Sequence, residues 1–179
     1  MIKIAEVRPF IRGITLSGGE CMNYPEFMEG IFTQTKKLGL NCLIDSNGYR
    51  LFSEYPELMK VCDGVMLDVK AVNSQFHLQL TQYSNENVLK NMDDLLLMGK
   101  LQEVRIVILP GYDEQNRETI QYVAEHVKNH VKIKLLTYRP YGVRIEGLEK
   151  LGTSMPSERT MESYRQLALE YGAGDVFIL

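Results

Sequence analysis

The sequence predicts an α/β fold with a parallel sheet, either barrel-like or doubly wound. Five short apolar runs have the length and composition of buried strands: residues 13–17, 41–46, 64–69, 104–109 and 132–138. These runs are continuously apolar rather than alternating, which is typical of strands that are covered on both faces. Segments with helical spacing separate the runs, and a regular alternation of strands and helices indicates βα units.

Four segments between and after the strands repeat apolar residues at helical intervals: 25–38, 85–98, 117–130 and a last helix from Ser157, a plausible N-cap, to about residue 171. The expected apolar faces of the first three are, in chain order, Phe27, Ile31, Thr35 and Leu38; Val88, Leu89, Met92, Leu95 and Leu96; and Ile120, Val123, Ala124 and Val127. Residues 175–179 predict a short terminal strand.

Composition excludes several classes of protein. The 179 residues carry 20 Lys and Arg against 23 Asp and Glu, a net charge of -3, which argues against a nucleic-acid-binding surface. With 45% hydrophobic residues the chain is not disordered, and no run reaches the roughly 18 apolar residues of a membrane span. Three cysteines about twenty residues apart indicate free thiols in a reducing cytoplasm.

Polar or glycine-rich residues follow each predicted strand, where parallel α/β sheets bind their ligands. Gly-Gly after a strand is equally consistent with a plain tight turn. Asp68 and Lys70 are two residues apart, so a strand directs them to one face. Charges there are costly unless they are paired or serve a site, and both readings stay open.

Five segments, GITLSGGE, IDSNG, VMLDVKAVN, ILPGYDE and KLLTY, occur in this order and at these intervals. Together they resemble the radical S-adenosylmethionine (SAM) enzymes, and most closely the glycyl-radical-enzyme activating enzymes typified by pyruvate formate-lyase activating enzyme. The resemblance covers residues 1–179 as a single core domain. It implies a partial (βα)6 TIM-like barrel, of which about five parallel strands are present in this chain.

The resemblance also implies roles for particular residues. It assigns SAM binding to Gly18, Gly19, Glu20, Ser46, Asp68, Val69, Lys70, Arg105 and Arg139. A backbone group of the glycine turn would receive the amino group of SAM, and Lys70 suits its carboxylate. Asp45 and Asp68 would help to bind a monovalent cation. No catalytic residue is assigned, because the cofactor carries the chemistry.

The activity implied by the resemblance is the formation of a glycyl radical on a partner enzyme. SAM on a [4Fe-4S] cluster is cleaved reductively, and the 5′-deoxyadenosyl radical removes a hydrogen atom from a glycine of the partner. SAM is therefore the expected cofactor, with the cluster expected in the full-length parent only. The expected partner is a glycyl-radical enzyme, with neither nucleic acid nor membrane.

Two departures from the family pattern limit the resemblance. Arg139 stands where pyruvate formate-lyase activators have a histidine. The cluster loop Cys-x3-Cys-x2-Cys is absent, and the spacing of Cys21, Cys42 and Cys62 fits no such loop. We therefore expect an N-terminally truncated core, with the loop upstream of Met1, that is inactive alone.

Two other functions and one assembly stay open from the sequence. The chain is alternatively a non-catalytic SAM- or protein-binding module, or a phosphate-binding α/β-barrel enzyme. Without a strand before it, the GITLS strand is expected to form an exposed edge. Such an edge would pair in a dimer or be covered by residues 1–12.

Overall fold

The computed structural model describes residues 1–179 and divides into two compact units. The first unit consists of residues 1–68 and 86–102. The second unit consists of residues 69–85 and 103–179. Each unit contains its own parallel strands and its own covering helices.

Six strands form a sheet in chain order: β1 (Gly13–Leu16), β2 (Asn41–Ser46), β3 (Gly64–Asp68), β4 (Leu101–Ile108), β5 (Lys132–Thr137) and β6 (Val176–Ile178). The α-helices are α1 (Ile2–Val7), α2 (Pro25–Lys36), α3 (Pro56–Val61), α4 (Ser74–Thr81), α5 (Glu86–Leu97), α6 (Asp113–Val127), α7 (Ile145–Leu151) and α8 (Glu158–Glu170). None of the helices combines the length and apolar character that a bilayer crossing requires.

In the first unit, β1, β2 and β3 pair in parallel, and the two faces of the strands differ in burial. One face is fully buried beneath α2 and α5, and it consists of Cys42, Ile44, Val65 and Leu67. The other face is only half-buried, and it carries Leu43, Asp45, Met66 and Asp68. Polar side chains at the strand ends therefore lie on the more accessible face.

The second unit repeats this arrangement, because β4, β5 and β6 also pair in parallel. Helix α8 packs on β5, β6 and α6. The buried strand face is formed by Val104, Ile106, Ile108, Ile133 and Leu135. The opposite face is half-buried at Arg105, Val107, Lys134 and Leu136. Again the charged residues share the more accessible face.

The predicted α/β class with a parallel sheet is confirmed, and the predicted strand ranges agree with the observed ones within a few residues. The predicted terminal strand is present as β6, so the sheet has six strands, whereas the family resemblance implied about five. Ser157 caps α8 as predicted, because its hydroxyl accepts a hydrogen bond from the Thr160 backbone N–H at 3.1 Å. Helix α6 begins at Asp113, four residues before its predicted start.

Two predicted helix faces had different outcomes. On α6, the expected residues Ile120, Val123, Ala124 and Val127 are all fully buried. On α2, the prediction was right for Thr35, which is buried, and wrong for Phe27, which is 67% exposed, while Ile31 and Leu38 are half-buried. Met28 and Phe32, which were not predicted, are buried beside Thr35. The stripe that begins at Met28 also repeats at helical spacing, and it is the one that meets β2.

Candidate functional site

The turn after β1 contains two exposed glycines, Gly18 and Gly19. Gly18 has a φ of +108° and Gly19 a φ of +56°, in the left-handed region that favours glycine. No heavy atom lies within 4 Å of the position that a Cβ would take on either residue. The backbone N–H and C=O groups of this turn are therefore accessible to a close ligand, as binding of the SAM amino group requires.

Glu20 joins this turn to the loop that follows β2. Its Oε1 accepts hydrogen bonds from the Met22 backbone N–H and from the Ser46 hydroxyl, each at 2.9 Å. Its Oε2 accepts one from the Asn47 backbone N–H at 2.8 Å. Glu20 was predicted to contact SAM, and that contact stays a prediction. Its carboxylate is engaged within the protein and fixes the two loops to each other.

Asp45 lies at the end of β2, beside the same turn. The Ser17 hydroxyl donates to its Oδ2 at 3.1 Å, and the Cys21 thiol donates to its backbone oxygen at 3.2 Å. Asp45 and Met66 are register partners, so Asp68, two residues after Met66, projects from the same face as Asp45. No three or more His, Cys, Asp or Glu side chains form a metal-binding group, and the two-aspartate cation site stays a prediction.

Asn91 of α5 makes hydrogen bonds to the loop after β2. Its amide nitrogen donates to the backbone oxygens of Gly48 and Arg50, both at 2.8 Å, and its Oδ1 accepts from the Phe52 N–H at 3.0 Å. Asn91 is fully buried, so its bonds to Gly48 and Phe52 are shielded from water, and its bond to Arg50 is partly shielded. The loop after β2 is therefore fixed by Glu20 at Asn47 and by Asn91 at Gly48 and Arg50.

In the second unit, the predicted site residues follow β3 and lie on β4. The Val69 N–H donates to the backbone oxygen of Arg105 at 2.9 Å, which brings these two predicted residues together. Val69 is buried, Lys70 is half-buried, and Arg139 is exposed just after β5. The contacts of these residues with SAM stay predictions.

Two side chains fix the segment after Lys70. The amide nitrogen of Asn85 donates to the backbone oxygens of Ala71 at 3.2 Å and Val72 at 2.6 Å. His77 Nδ1 lies 3.2 Å from the Ala71 oxygen, which can only accept, so Nδ1 carries the proton. Burial is the main cause that lowers the pKa of His77, which favours the neutral ring.

The sequence analysis missed Glu103, which the structure places beside Arg105. Its Oε1 lies 2.6 Å from Arg105 Nε, and its Oε2 lies 2.7 Å from Lys134 Nζ. An acidic residue within an otherwise apolar strand, two residues before an arginine, was the available signal. The sequence could not show that a lysine on the next strand completes the group.

The three cysteines occupy separate buried positions and are unpaired. The Cys42 thiol lies 3.8 Å from the Phe32 backbone oxygen, and the Cys62 thiol lies 3.3 Å from that of Gly64. Burial is the largest cause that raises the pKa of Cys21, Cys42 and Cys62 to about 11 in each case. Cluster ligation requires thiolates, and these surroundings disfavour them.

Comparison with known proteins agrees with this description. The family model described as the Radical SAM superfamily matches residues 1–123. Pyruvate formate-lyase 1-activating enzyme of Escherichia coli (strain K12) is 32% identical over 169 residues, which cover 89% of this chain and 69% of that protein. Trans-4-hydroxy-L-proline dehydratase activating enzyme of Clostridioides difficile is 30% identical, covering 87% of this chain and 54% of that protein.

A solved structure matches as well. The crystal structure of a domain of pyruvate-formate lyase-activating enzyme from Bacteroides vulgatus ATCC 8482 has a TM-score of 0.75 at 25% identity. The match covers 93% of this chain and 98% of that domain. The predicted partial barrel of the radical SAM type is thereby confirmed.

Fold and strand-end residues together define a radical SAM-type α/β protein. The chain belongs to the radical SAM superfamily and, within it, to the glycyl-radical-enzyme activating enzymes. Members of this superfamily use SAM and a [4Fe-4S] cluster.

Proposed function

We propose that this chain binds SAM and contributes to the activation of a glycyl-radical enzyme. The observation that carries the proposal is the open Gly18–Gly19 turn, fixed through Glu20 to the loop after β2. Gly18, Gly19, Glu20, Ser46, Asp68, Val69, Lys70, Arg105 and Arg139 would bind the cofactor, and the Ser46–Glu20 hydrogen bond would also order the two loops. Asp45 and Asp68 would hold a monovalent cation beside it.

SAM, when bound in such enzymes, supplies the 5′-deoxyadenosyl group that generates the radical. The contribution of this chain's own residues is to bind and orient. Lys70 suits the carboxylate of SAM because an ammonium group is a compact charge. The backbone of the glycine turn suits its amino group. A rigid pair of loops lowers the entropic cost of holding a flexible ligand in one pose.

The cysteines of this chain do not fit a [4Fe-4S] cluster, because each is buried in a different place and has a raised pKa. We therefore propose that the chain by itself does not cleave SAM. The same observation supports the alternative of a non-catalytic SAM- or protein-binding module. Iron and sulfide reconstitution tests the inactivity that both readings share: an electron paramagnetic resonance signal of a [4Fe-4S] cluster, with release of 5′-deoxyadenosine, would contradict it.

The proposed partner is a glycyl-radical enzyme, because the relatives are named as activators of pyruvate formate-lyase and of trans-4-hydroxy-L-proline dehydratase. Identities of 32% and 30% do not favour one of these partners over the other. Reduced cysteines support a cytoplasmic setting. Strand β1 ends the sheet order, and we propose that it pairs with a second chain or is covered by residues 1–12; sedimentation equilibrium would test the pairing.

Calorimetric titration with SAM tests the binding function directly. We expect saturable binding of one SAM per chain, with Lys70→Met weakening it about tenfold through loss of a charge-assisted contact. Inorganic phosphate should not compete with SAM. Competition by phosphate would instead favour the third candidate, a phosphate-binding barrel enzyme. The absence of SAM binding would refute the proposed function.

A further inference from the structure

Glu103 on β4 is the one buried charged residue of the chain, with 8% of its side chain exposed. A carboxylate in such a position is costly unless both of its oxygens are compensated. Here Oε1 pairs with Arg105 and Oε2 with Lys134, at 2.6 and 2.7 Å. The carboxylate is therefore fully used inside the protein.

Both cations pair with this one carboxylate. Arg105 and Lys134 are register partners on the neighbouring parallel strands β4 and β5, so they project from the same face. Strands lie only about 4.8 Å apart, and like charges directly opposite each other are unfavourable. Glu103, two residues before Arg105, lies on that same face and neutralises one of the two charges. The group of three keeps a net charge of one positive unit.

Exposure within this group is uneven. The side chains of Arg105 and Lys134 are 21% and 26% exposed, whereas that of Glu103 is 8% exposed. The backbone oxygen of Arg105 accepts from Val69, the residue before Lys70, so the group lies beside the segment that carries a proposed SAM ligand. A ligand there would meet the two cations and not the carboxylate behind them.

We propose that Glu103 is a positioning residue: it holds Arg105 and Lys134 side by side so that this positive pair, together with Lys70, recognises the carboxylate end of SAM. The proposal rests on the proposed SAM-binding function. Glu103 itself does not touch the ligand. Its effect on binding passes through Arg105, which separates this role from a merely structural ion pair.

The test compares two ligands by calorimetric titration: SAM, and 5′-methylthioadenosine, which lacks the amino-acid end. We expect Glu103→Gln to weaken SAM binding about fivefold or more and to change 5′-methylthioadenosine binding less than about twofold. In an Arg105→Met background the Glu103→Gln effect should disappear, because coupled residues are not additive. Glu118→Gln, on the exposed side of α6, is the matched control and should change neither affinity.

Three results would overturn the inference: unchanged SAM affinity in Glu103→Gln, equal weakening of both ligands, or an independent effect in the Arg105→Met background. If Glu103→Gln does not fold, Glu103→Asp keeps the charge but shortens the reach, and the same selective loss of SAM affinity is expected. Failure of the unsubstituted chain to bind SAM would refute the proposed function and this inference with it. Normal SAM binding with an unselective Glu103 effect would refute the inference alone.

Discussion

The hydroxyl of Ser46 donates a hydrogen bond to the carboxylate of Glu20 at 2.9 Å, across 26 residues of sequence. Ser46 is buried, and its hydroxyl also accepts from the Gly48 N–H at 3.0 Å. Glu20 in turn accepts from the Met22 and Asn47 backbone N–H groups. The pair therefore connects the glycine turn after β1 with the loop after β2, the two segments proposed to meet SAM in the first unit.

Removing the Glu20 carboxylate should loosen both loops. We expect Glu20→Ala to lower the free energy of unfolding by about 2 kcal/mol, because three donors lose their acceptor in a half-buried position. Urea unfolding monitored by circular dichroism measures this change. Ser46→Ala combined with Glu20→Ala should cost less than the sum of the single changes. Additive effects, or a Glu20→Ala as mild as the exposed Glu118→Ala, would contradict this view.

Asn91 offers a second test of loop support. Its amide makes three hydrogen bonds to the segment from Gly48 to Phe52, two of them buried and the one to Arg50 part-buried, whereas Asn87 of the same helix makes one exposed bond to Tyr49. We expect Asn91→Ala to cost about 3 kcal/mol of unfolding free energy, since it leaves three backbone groups unpaired, two of which are buried. Asn87→Ala should cost less than about 1 kcal/mol. Similar urea midpoints for the two variants would show that the loop does not depend on Asn91.

Asn91 and Glu103 are examples of residues whose roles the sequence alone could not predict. The glycine turn and the strands were predictable because each depends on a few consecutive residues, and the α6 face because one apolar stripe dominates that helix. The α2 face was predicted only in part, because two apolar stripes overlap along the same turns. Asn91 and Glu103 escaped because their partners lie on other elements, and a one-dimensional pattern contains no pairing information.

The thiols should react slowly in the folded protein. Burial raises the pKa of Cys21, Cys42 and Cys62 from an ordinary 9.0 to about 11, so the thiolate fraction at neutral pH falls about 100-fold. We expect 5,5′-dithiobis(2-nitrobenzoate) to label none of them within minutes under native conditions. All three should react promptly in denaturant. Rapid labelling of a native thiol would refute the described burial, and peptide mapping would identify the residue.

Acid should weaken a contact between α6 and α8. The hydrogen bond from Tyr164 at 2.6 Å, followed by that from Arg117, lowers the pKa of Asp113 below its ordinary 3.8. Because the folded-state pKa is the lower one, this contribution to stability is present above pH 3.8 and is lost as the pH falls through the folded-state pKa. Tyr164→Phe should raise the pKa of Asp113 toward 3.8 in a carbon-detected NMR titration. Tyr171→Phe removes a hydroxyl at the C-terminal end of α8 and should leave the pKa of Asp113 unchanged.

Alanine substitutions at Gly19 and Gly99 distinguish an effect on ligand binding from an effect of backbone strain. Gly19 and Gly99 have similar φ values of +56° and +65°, and neither has a heavy atom within 4 Å of its Cβ position. Alanine at either residue should therefore cost about 1 kcal/mol of unfolding free energy, through the left-handed backbone alone. Only Gly19→Ala should also weaken SAM binding, by about tenfold, because its methyl group would stand where the ligand approaches the backbone. Calorimetric titration of both variants decides between the two effects. Equal SAM affinities would mean that the ligand does not approach this turn, and the proposed site would have to be abandoned.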